Sequence, residues 1–250
     1  MFDIHDRLAV VTGASEGIGR DIAIGLAEAG ADLILCSRRR EKLAEVKGII
    51  EGLGRRAAVF VFDVCKVSEI EDLGIFIREN FGRVDILVNN AGWAVTKPAW
   101  ETTENDWDRM LDTGLKGAFF CSRIIGAIMA GQGYGKVINL GSTLSRSTVP
   151  GRSVYSALKA GLVHLTESLA VEWAADGIRV NCIAPTAVKT PSREQLLQGE
   201  MLKMILGRIP LGRLATAEDL ICAAIYLASP ASDFVTGQTL FVDGGWVARG

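Results

Sequence analysis

Short apolar runs alternate with helical segments along the whole chain, and this alternation constrains the fold more than any other feature. The runs are rich in β-branched residues and lack strict polar alternation, as is typical of strands covered on both faces. The segments between them place apolar residues at helical spacing, and several end in glycine. Such an order predicts parallel strands joined by right-handed crossover helices. The predicted strands are residues 8–13, 31–37, 57–63, 84–90, 136–142, 178–184 and 239–245.

The sequence predicts one α/β domain over residues 1–250, because it shows no linker, low-complexity tract or internal repeat. One connection is unusually long. About thirty residues run from Thr186 to Leu214, whereas connections in α/β units usually take about two to six. The connection contains a short apolar helical patch at residues 201–206. Because it follows a strand end where parallel sheets bind ligands, we expect residues 186–214 to form a substrate lid.

Charge and cysteine usage argue against several classes of partner. The formal net charge of -2 at pH 7 lacks the basic excess that nucleic acid or an anionic membrane would need. No apolar signal segment opens the chain, and the apolar stretch at residues 117–129 contains Arg123 and is too short to span a bilayer. The 5 cysteines stand singly, and 2 histidines give little basis for a metal site. We expect a cytoplasmic protein without metal, nucleic acid or membrane partners.

A glycine-rich turn, T-G-A-S-E-G-I-G at residues 12–19, connects the first predicted strand to a helix. Its glycines permit a tight turn and let the main chain approach a pyrophosphate at the helix N-terminus. Such turns are common after strands, but the position in a βαβ unit favours a nucleotide ligand. The spacing is G-x-x-x-G-x-G rather than the commoner G-x-G-x-x-G.

The end of the second predicted strand indicates which cofactor the chain prefers. Ser37 stands where an NAD-binding chain places an acidic residue for the ribose hydroxyls, and Arg38 and Arg39 follow it. A guanidinium binds a phosphate bidentately, so we predict NADP(H) rather than NAD(H), with Arg38 on the 2′-phosphate. The alternative is a solvated basic turn. Glu16, inside the glycine turn, does not strengthen the case.

Tyr155 and Lys159 stand four residues apart in S-V-Y-S-A-L-K and share one face of a predicted helix. Hydride transfer to a carbonyl builds negative charge on its oxygen, which needs a hydrogen-bond donor and a proton source. A tyrosine with a pKa of about 10 is rarely ionised at neutral pH, but a nearby ammonium favours the phenolate. The alternative is an ordinary pair of side chains on a solvated helix.

Four motifs occur in one order: the turn at residues 12–19, N-N-A-G at residues 89–92, Ser142, and Y-S-A-L-K at residues 155–159. Together they closely resemble the short-chain dehydrogenase/reductase family, over nearly the whole chain. The resemblance implies a single-domain Rossmann-type fold, a doubly wound seven-stranded parallel sheet with helices on both faces. It also implies an NADP(H)-dependent oxidoreductase that acts on a small molecule, and a homotetramer.

The resemblance further implies roles for individual residues. Ser142 would polarise the substrate oxygen, Tyr155 would transfer the proton, and Lys159 would hold the nicotinamide ribose and lower the pKa of the tyrosine. The implied cofactor-binding residues run from the phosphates and the adenine to the nicotinamide end. They are Gly13, Ser15, Ile18, Gly19, Ser37, Arg38, Arg39, Asp63, Val64, Asn90, Ala91, Gly92, Tyr155, Lys159, Pro185, Val188 and Thr190.

The chain departs from the family pattern at two positions. Gly114 replaces an asparagine that, in many members, helps hold a water linking the lysine to solvent. Either Gly114 keeps this water through its main-chain carbonyl, or proton relay is impaired. Thr186 follows Pro185 where the family usually has glycine, which bears on the loop geometry beside the nicotinamide.

The family covers several substrate classes. Reductases of 3-oxoacyl chains on a carrier protein usually place basic residues on two helical segments, but residues 131–134 and Val171 here are not basic. We therefore predict a small free ketone or secondary alcohol, such as a sugar acid or polyol. The alternatives are a carrier-protein reductase and a nucleotide-binding regulatory homologue with little turnover. Candidate walls of the substrate pocket are Trp93, Leu144, Val149 and Trp246.

Two helical segments lack a clear polar face. Residues 161–175 and 217–229 are apolar around most of the helix circumference. Such helices need cover on more than one side, and one sheet covers a single side. This pattern predicts subunit contacts, in keeping with the homotetramer that the family resemblance implies.

Overall fold

The computed structural model describes residues 2–189 and 199–249. Within them, seven parallel strands form one sheet in the order β3-β2-β1-β4-β5-β6-β7. This confirms the predicted seven-stranded doubly wound sheet, and each strand lies in or beside its predicted run. The strands are β1 (Leu8–Thr12), β2 (Asp32–Ser37), β3 (Ala57–Val61), β4 (Ile86–Asn89), β5 (Gly135–Leu140), β6 (Ile178–Pro185) and β7 (Thr239–Val242).

Helices cover both faces of the sheet. On one face, α1, α2 and α8 bury side chains such as Leu26, Leu43 and Leu220, and on the other α3, α5 and α6 bury side chains such as Leu73 and Ile125. The described helices are α1 (Gly17–Glu28), α2 (Arg40–Gly52), α3 (Val67–Asn80), α4 (Glu104–Leu111), α5 (Gly117–Gln132), α6 (Ser153–Glu172), α7 (Gly199–Leu206) and α8 (Ala217–Ala228).

Because helices cover both faces of the sheet, the strands appear in the sequence as continuous apolar runs. In β1, Val11 packs into the core under α1 and α8, while its neighbour Val10 packs into the core under α3 and α5. Successive side chains of a strand point to opposite faces, so both must be apolar when both faces are buried.

A π-helical turn at Asp112–Lys116 joins α4 and α5 into one helix of 29 residues, Glu104–Gln132. The apolar stretch at residues 117–129, which was expected to be too short to span a bilayer, is part of this longer helix. Among the described residues it is the one helix that could cross a membrane by length and composition. Half of the most apolar stretch of this helix is buried within the fold, where Cys121, Ile125 and Met129 pack against the sheet. These contacts are those of a core helix.

The long connection after β6 begins and ends at one place. The main-chain N–H of Lys189 donates to the carbonyl of Ala215 at 2.8 Å, and the N–H of Ala215 donates to the carbonyl of Ala187 at 3.2 Å. Helix α7 lies between these ends, in agreement with the helical patch predicted at residues 201–206. The two ends of the connection are therefore held together by hydrogen bonds at the carboxyl edge of the sheet.

Candidate active site

The glycine turn after β1 presents its main chain rather than side chains. Gly13 and Gly17 have φ angles of +67° and +58°, in the left-handed region that favours glycine. At Gly19 a Cβ would lie 2.1 Å from Nδ2 of Asn90. The glycines therefore let the main chain of the turn pack closely, which suits the binding of a phosphate group at a helix N-terminus.

Asn90 holds this turn in place from the neighbouring strand. Its Nδ2 donates to the carbonyl oxygens of Thr12 at 3.0 Å and Gly13 at 3.2 Å. In return, Oγ1 of Thr12 accepts from the main-chain N–H groups of Asn90 at 3.0 Å and Ala91 at 3.1 Å. The family resemblance implies that Asn90 is a cofactor-binding residue, and the structure shows that it braces the glycine turn.

A cleft of about 520 Å³ lies at the carboxyl ends of the central strands. The strand order reverses between β1 and β4, and doubly wound sheets bind nucleotides at such a reversal. Gly19 is buried behind the glycine turn rather than exposed in the cleft. The predicted cofactor residues that line the cleft are Gly13, Ser15, Ile18, Ser37, Arg38, Arg39, Asp63, Val64, Asn90, Ala91 and Gly92.

An ion-pair cluster occupies the end of the cleft beside β2. Oε2 of Glu16 accepts hydrogen bonds from Arg39 Nη1 at 2.7 Å and Lys42 Nζ at 2.8 Å. The hydrogen bonds from Arg39 and Lys42 lower the pKa of Glu16, so its carboxylate is ionised at neutral pH. Arg38 is held more loosely: its Nη1 is 3.8 Å from Oδ2 of Asp63 and its side chain is 66% exposed. Arg38 is therefore more available to bind a phosphate than Arg39, which is already hydrogen-bonded to Glu16.

The residues predicted for catalysis meet at the end of β5 and the start of α6. Nζ of Lys159 lies 5.7 Å from the centre of the Tyr155 ring and donates to the carbonyl oxygen of Leu140, the last residue of β5. Ser142 follows two residues later, and its Oγ accepts from the main-chain N–H of Leu144 at 3.1 Å. Lys159 and Ser142 are both buried, while Tyr155 is half-buried.

Val188 is placed differently from the other predicted cofactor residues. Its side chain is fully buried in the core, and the residue pairs with Ala215 in a parallel bridge. The flanking residues Ala187 and Lys189 make the hydrogen bonds of this bridge, so the N–H and C=O of Val188 face the other way. Val188 can thus reach a ligand through its main chain. Thr190 lies outside the described residues.

Pro185 ends β6 and, like Thr186 after it, is buried. Among the described residues, Asp6 is the one non-glycine residue with a positive φ, so Thr186 adopts an ordinary backbone conformation. The loop therefore forms here without the glycine that is usual in the family.

Two of the predicted pocket walls lie at the site. Trp93 and Tyr155 pack against the same small apolar cluster, whose buried members are Met110, Val154 and Leu158. Nε1 of Trp246 donates to Oγ of Ser147 at 3.0 Å, in the loop that follows Ser142. Leu144 and Val149 are half-buried in that same loop.

Several cleft residues were missed by the sequence reasoning. Arg109 and Thr113 come from α4 and the π-helical turn, and their four-residue spacing on one helical face is the signal that could have found them. The guanidinium of Arg109 stacks 4.0 Å above the ring of Trp93. Thr12, Glu16 and Gly17 of the predicted turn and the predicted pocket wall Trp93 also line the cleft. The lining residues that the sequence reasoning missed are Cys36, Phe62, Cys65, Arg109 and Thr113.

The cysteines are free thiols, as the sequence predicted. Burial raises the pKa of Cys121 to about 12 and that of Cys182 to about 11, so both thiols stay protonated at neutral pH. In the part of the chain that the structure describes, no group of three or more His, Cys, Asp or Glu side chains could hold a metal ion.

The sheet order and the cleft at its reversal point define a doubly wound α/β protein with a site shaped for a dinucleotide. Within that class, the chain belongs to the short-chain dehydrogenase/reductase family, as its motifs predicted. Residues 13–247 match the family model described as enoyl-(acyl carrier protein) reductase.

Several relatives that are similar over nearly their full length are named as dehydrogenases of sugar acids. The chain is 37% identical to gluconate 5-dehydrogenase of Gluconobacter oxydans (strain 621H), covering 98% of this chain and 96% of the relative. It is 40% identical to 2-dehydro-3-deoxy-D-gluconate 5-dehydrogenase of Bacillus subtilis (strain 168), covering 99% and 97%. The crystal structure of gluconate 5-dehydrogenase from Burkholderia cenocepacia J2315, in complex with NADP and tartrate, is 36% identical with a TM-score of 0.95, covering 99% and 97%.

Proposed function

We propose that this protein is an NADP(H)-dependent oxidoreductase that transfers a hydride between the nicotinamide and a ketone or secondary alcohol of a sugar acid. The observation that carries the proposal is the pair of Tyr155 and Lys159, with 5.7 Å between the ammonium and the ring centre, where Lys159 bonds to Leu140, two residues before Ser142. The names of the relatives support the sugar-acid class.

The cleft fits the proposed cofactor. A Cβ at Gly13 or Gly19 would collide with Asn90, so the two glycines allow the close-packed turn at the helix N-terminus that suits a pyrophosphate. Arg38 and Arg39 lie at the end of the cleft where the 2′-phosphate of NADP(H) would bind, while Asp63 and Val64 line the side for the adenine. Arg39 is hydrogen-bonded to Glu16 whereas Arg38 is more exposed and more loosely held, so we expect Arg38 to contact the phosphate first.

When bound, the nicotinamide supplies or accepts the hydride. The chain handles the proton and the charge. The hydroxyl of Tyr155 donates its proton to the substrate oxygen during reduction and takes it back during oxidation. Lys159 places its positive charge 5.7 Å from the centre of the Tyr155 ring. The hydroxyl of Ser142 donates a hydrogen bond to the substrate oxygen.

A matched pair of alcohols tests the substrate class. With NADP+ present, we expect D-gluconate to be oxidised with a kcat/KM at least about tenfold above that of D-glucitol, which carries a CH2OH group in place of the carboxylate. Such a ratio corresponds to roughly 1.4 kcal/mol of binding to the carboxylate. The measurement is the absorbance of the reduced nicotinamide. If the protein binds NADPH but turns over neither of these alcohols nor any carbonyl of a wider panel, it is a regulatory nucleotide-binding protein instead.

Gly114 lies in the π-helical turn next to the catalytic helix. A shift from α-helical to π-helical hydrogen bonding leaves a main-chain carbonyl without its usual donor, which supports the proposal that the backbone at this turn holds the relay water. A Cβ at Gly114 would lie 2.8 Å from Cδ1 of Leu158, the neighbour of Lys159.

We therefore expect Gly114→Asn to lower the free energy of unfolding by about 1–3 kcal/mol through overpacking, without raising kcat. Thermal unfolding and steady-state kinetics measure the two effects. Gly114→Ala adds the same Cβ without the amide and serves as the control. A rise in kcat by orders of magnitude in the asparagine variant alone would show that the wild-type proton relay is impaired.

We also propose that residues 186–214 act as a lid over the substrate. Both ends of the segment are fixed beside Val188. Near its far end, the N–H of Leu211 donates to the carbonyl of Gly244 at 3.1 Å, and the guanidinium of Arg208 lies 4.4 Å above the ring of Trp246. Because Trp246 also bonds to Ser147, these contacts link the segment to the catalytic loop.

A homotetramer in the cytoplasm is the remaining part of the proposal. Apolar residues of α4, α5 and α6 line a surface groove with Phe119, which is 37% exposed. Val171 on α6 is 83% exposed and Phe234 is fully exposed, which supports contact with further subunits. The free thiols support a reducing compartment.

A further inference from the structure

We propose that Glu16 limits how strongly this protein discriminates NADP(H) from NAD(H). Its carboxylate competes with the 2′-phosphate of NADP(H) for Arg39 and Lys42, and it accepts a hydrogen bond from the free 2′-hydroxyl of NAD(H). The inference rests on the proposed position of the 2′-phosphate beside Arg38 and Arg39. It adds a residue of the glycine turn that opposes the preference for NADP(H) and gives NAD(H) a contact of its own.

The contacts of Glu16 carry this inference. Its Oε2 accepts hydrogen bonds from Nη1 of Arg39 at 2.7 Å and from Nζ of Lys42 at 2.8 Å, and its Oε1 lies 2.5 Å from Nη2 of Arg39. The pair of Glu16 and Arg39 is therefore bidentate, which is the geometry in which a guanidinium also binds a phosphate. A carboxylate and a phosphate cannot both occupy this edge of the guanidinium.

The side chain of Glu16 serves the cleft rather than the helix that it precedes. Glu16 is the N-cap residue of α1, but its side chain makes no capping hydrogen bond. Side chains at this position commonly accept from the first N–H groups of the helix. Glu16 instead lines the cleft together with Arg38 and Arg39. A substitution of Glu16 therefore removes a contact in the cleft and no helix cap.

The ribose lacks the carboxylate that the second strand supplies in many NAD-binding sites. Ser37 ends β2 instead, and its Oγ accepts from the main-chain N–H of Arg39 at 3.1 Å. Among the residues that line the cleft, the carboxylates are those of Glu16 and Asp63. Oδ1 of Asp63 accepts from the N–H of Cys65 at 3.1 Å, on the side of the cleft that we expect to hold the adenine. Glu16 is therefore the carboxylate for the 2′-hydroxyl.

The ion pairs of Glu16 are exposed enough for a phosphate to displace the carboxylate. The side chains of Arg39, Lys42 and Glu16 are 50%, 47% and 42% exposed. Exposed ion pairs contribute little net free energy, and a phosphate at neutral pH carries more negative charge than one carboxylate. NADP(H) can thus replace Glu16 on the two cations, at a modest cost in affinity. NAD(H) leaves the ion pairs intact, because it has no phosphate at this position.

The test compares the wild type with Glu16→Gln, which removes the charge and keeps the length of the side chain. Fluorescence titration measures the dissociation constants of NADPH and NADH. We expect NADPH to bind about 3- to 10-fold more tightly, because no anion competes for Arg39 and Lys42. NADH should bind about 3- to 10-fold more weakly, since its 2′-hydroxyl loses a charged acceptor. The ratio of the NADH to the NADPH dissociation constant should therefore rise about tenfold or more.

A second measurement isolates the adenosine end of the cofactor. Adenosine 2′,5′-bisphosphate and adenosine 5′-monophosphate differ in the 2′-phosphate alone, and both lack the nicotinamide. Their binding therefore does not involve the catalytic residues. Calorimetry should show the same direction of change in their ratio of dissociation constants when Glu16 is replaced with glutamine.

Glu41→Gln is the matched control. Glu41 is exposed in the first turn of α2, directly before Lys42, and does not line the cleft. The control removes the same charge and should leave the ratio within about twofold of the wild type, because salt screens exposed charges. An equal rise in the two variants would assign the effect to long-range charge and overturn the proposal. Equal tightening of NADPH and NADH in Glu16→Gln would place the effect at their shared pyrophosphate and overturn it too.

Two further results separate this inference from the proposed cofactor site. A wild type that binds NADH more tightly than NADPH contradicts the proposed binding of the 2′-phosphate, and with it the role of Glu16. A wild type that prefers NADPH, together with an unchanged ratio in Glu16→Gln, leaves the proposed cofactor site in place and refutes this inference alone.

Discussion

Replacing Tyr155 with phenylalanine should reduce kcat by roughly 10²- to 10⁴-fold, the range expected when a general acid–base group is removed. The ring remains, so its packing against the cluster of Met110, Val154 and Leu158 is kept, and the lost atom is the hydroxyl proposed to deliver the proton. NADPH affinity should fall far less than kcat, by under about tenfold, because Tyr155 loses one hydroxyl while the glycine turn and the arginines are untouched. Stopped-time assays at high enzyme concentration and fluorescence titration measure the two quantities.

Tyr134 offers a matched control for this change. Its hydroxyl is buried and finds no hydrogen-bond partner among the described residues, next to the first residue of β5 and away from the carboxyl edge. Tyr134→Phe removes the same atom and should leave kcat unchanged. If Tyr155→Phe kept more than a tenth of wild-type kcat, the proton would have another donor and the assignment of Tyr155 would be wrong.

The sequence predicted the features that depend on local order along the chain. Val10 and Val11 lie in an apolar run that two covered faces require, so the amino-acid pattern alone was enough to place β1. Gly13 stands in a turn that needs a left-handed conformation, and its spacing from the strand revealed it. Such features are encoded within a few neighbouring residues.

Features that depend on contacts between distant residues were not predictable in the same way. Glu16 and Arg39 are 23 residues apart, and their pairing follows from how α1 and α2 lie at the sheet edge. Trp246 and Ser147 are 99 residues apart and meet because they follow β7 and β5, which lie on either side of β6 in the sheet. The sequence could name Trp246 as a pocket wall, but the partner of its indole N–H depends on the tertiary fold.

Replacing Gly19 with alanine should weaken NADPH binding by at least about 100-fold, by disturbing the cradle rather than the chemistry. The new Cβ would lie 2.1 Å from Nδ2 of Asn90 and 2.5 Å from the carbonyl oxygen of Gly13. The main chain of Gly13 cannot give way without moving the turn that receives the pyrophosphate. Asn90 cannot move without losing its hydrogen bonds to Thr12 and Gly13.

The same collision should lower the free energy of unfolding by about 1–3 kcal/mol, the usual cost of overpacking, despite the roughly 1 kcal/mol that alanine gains over glycine within a helix. Gly48→Ala measures the helix-propensity gain without the overpacking cost, because Gly48 lies in α2 with open space around it. That control should become slightly more stable and bind NADPH normally. Normal NADPH affinity in Gly19→Ala would mean that the turn shifts without cost, and that the contact between Gly19 and Asn90 does not shape the cofactor site.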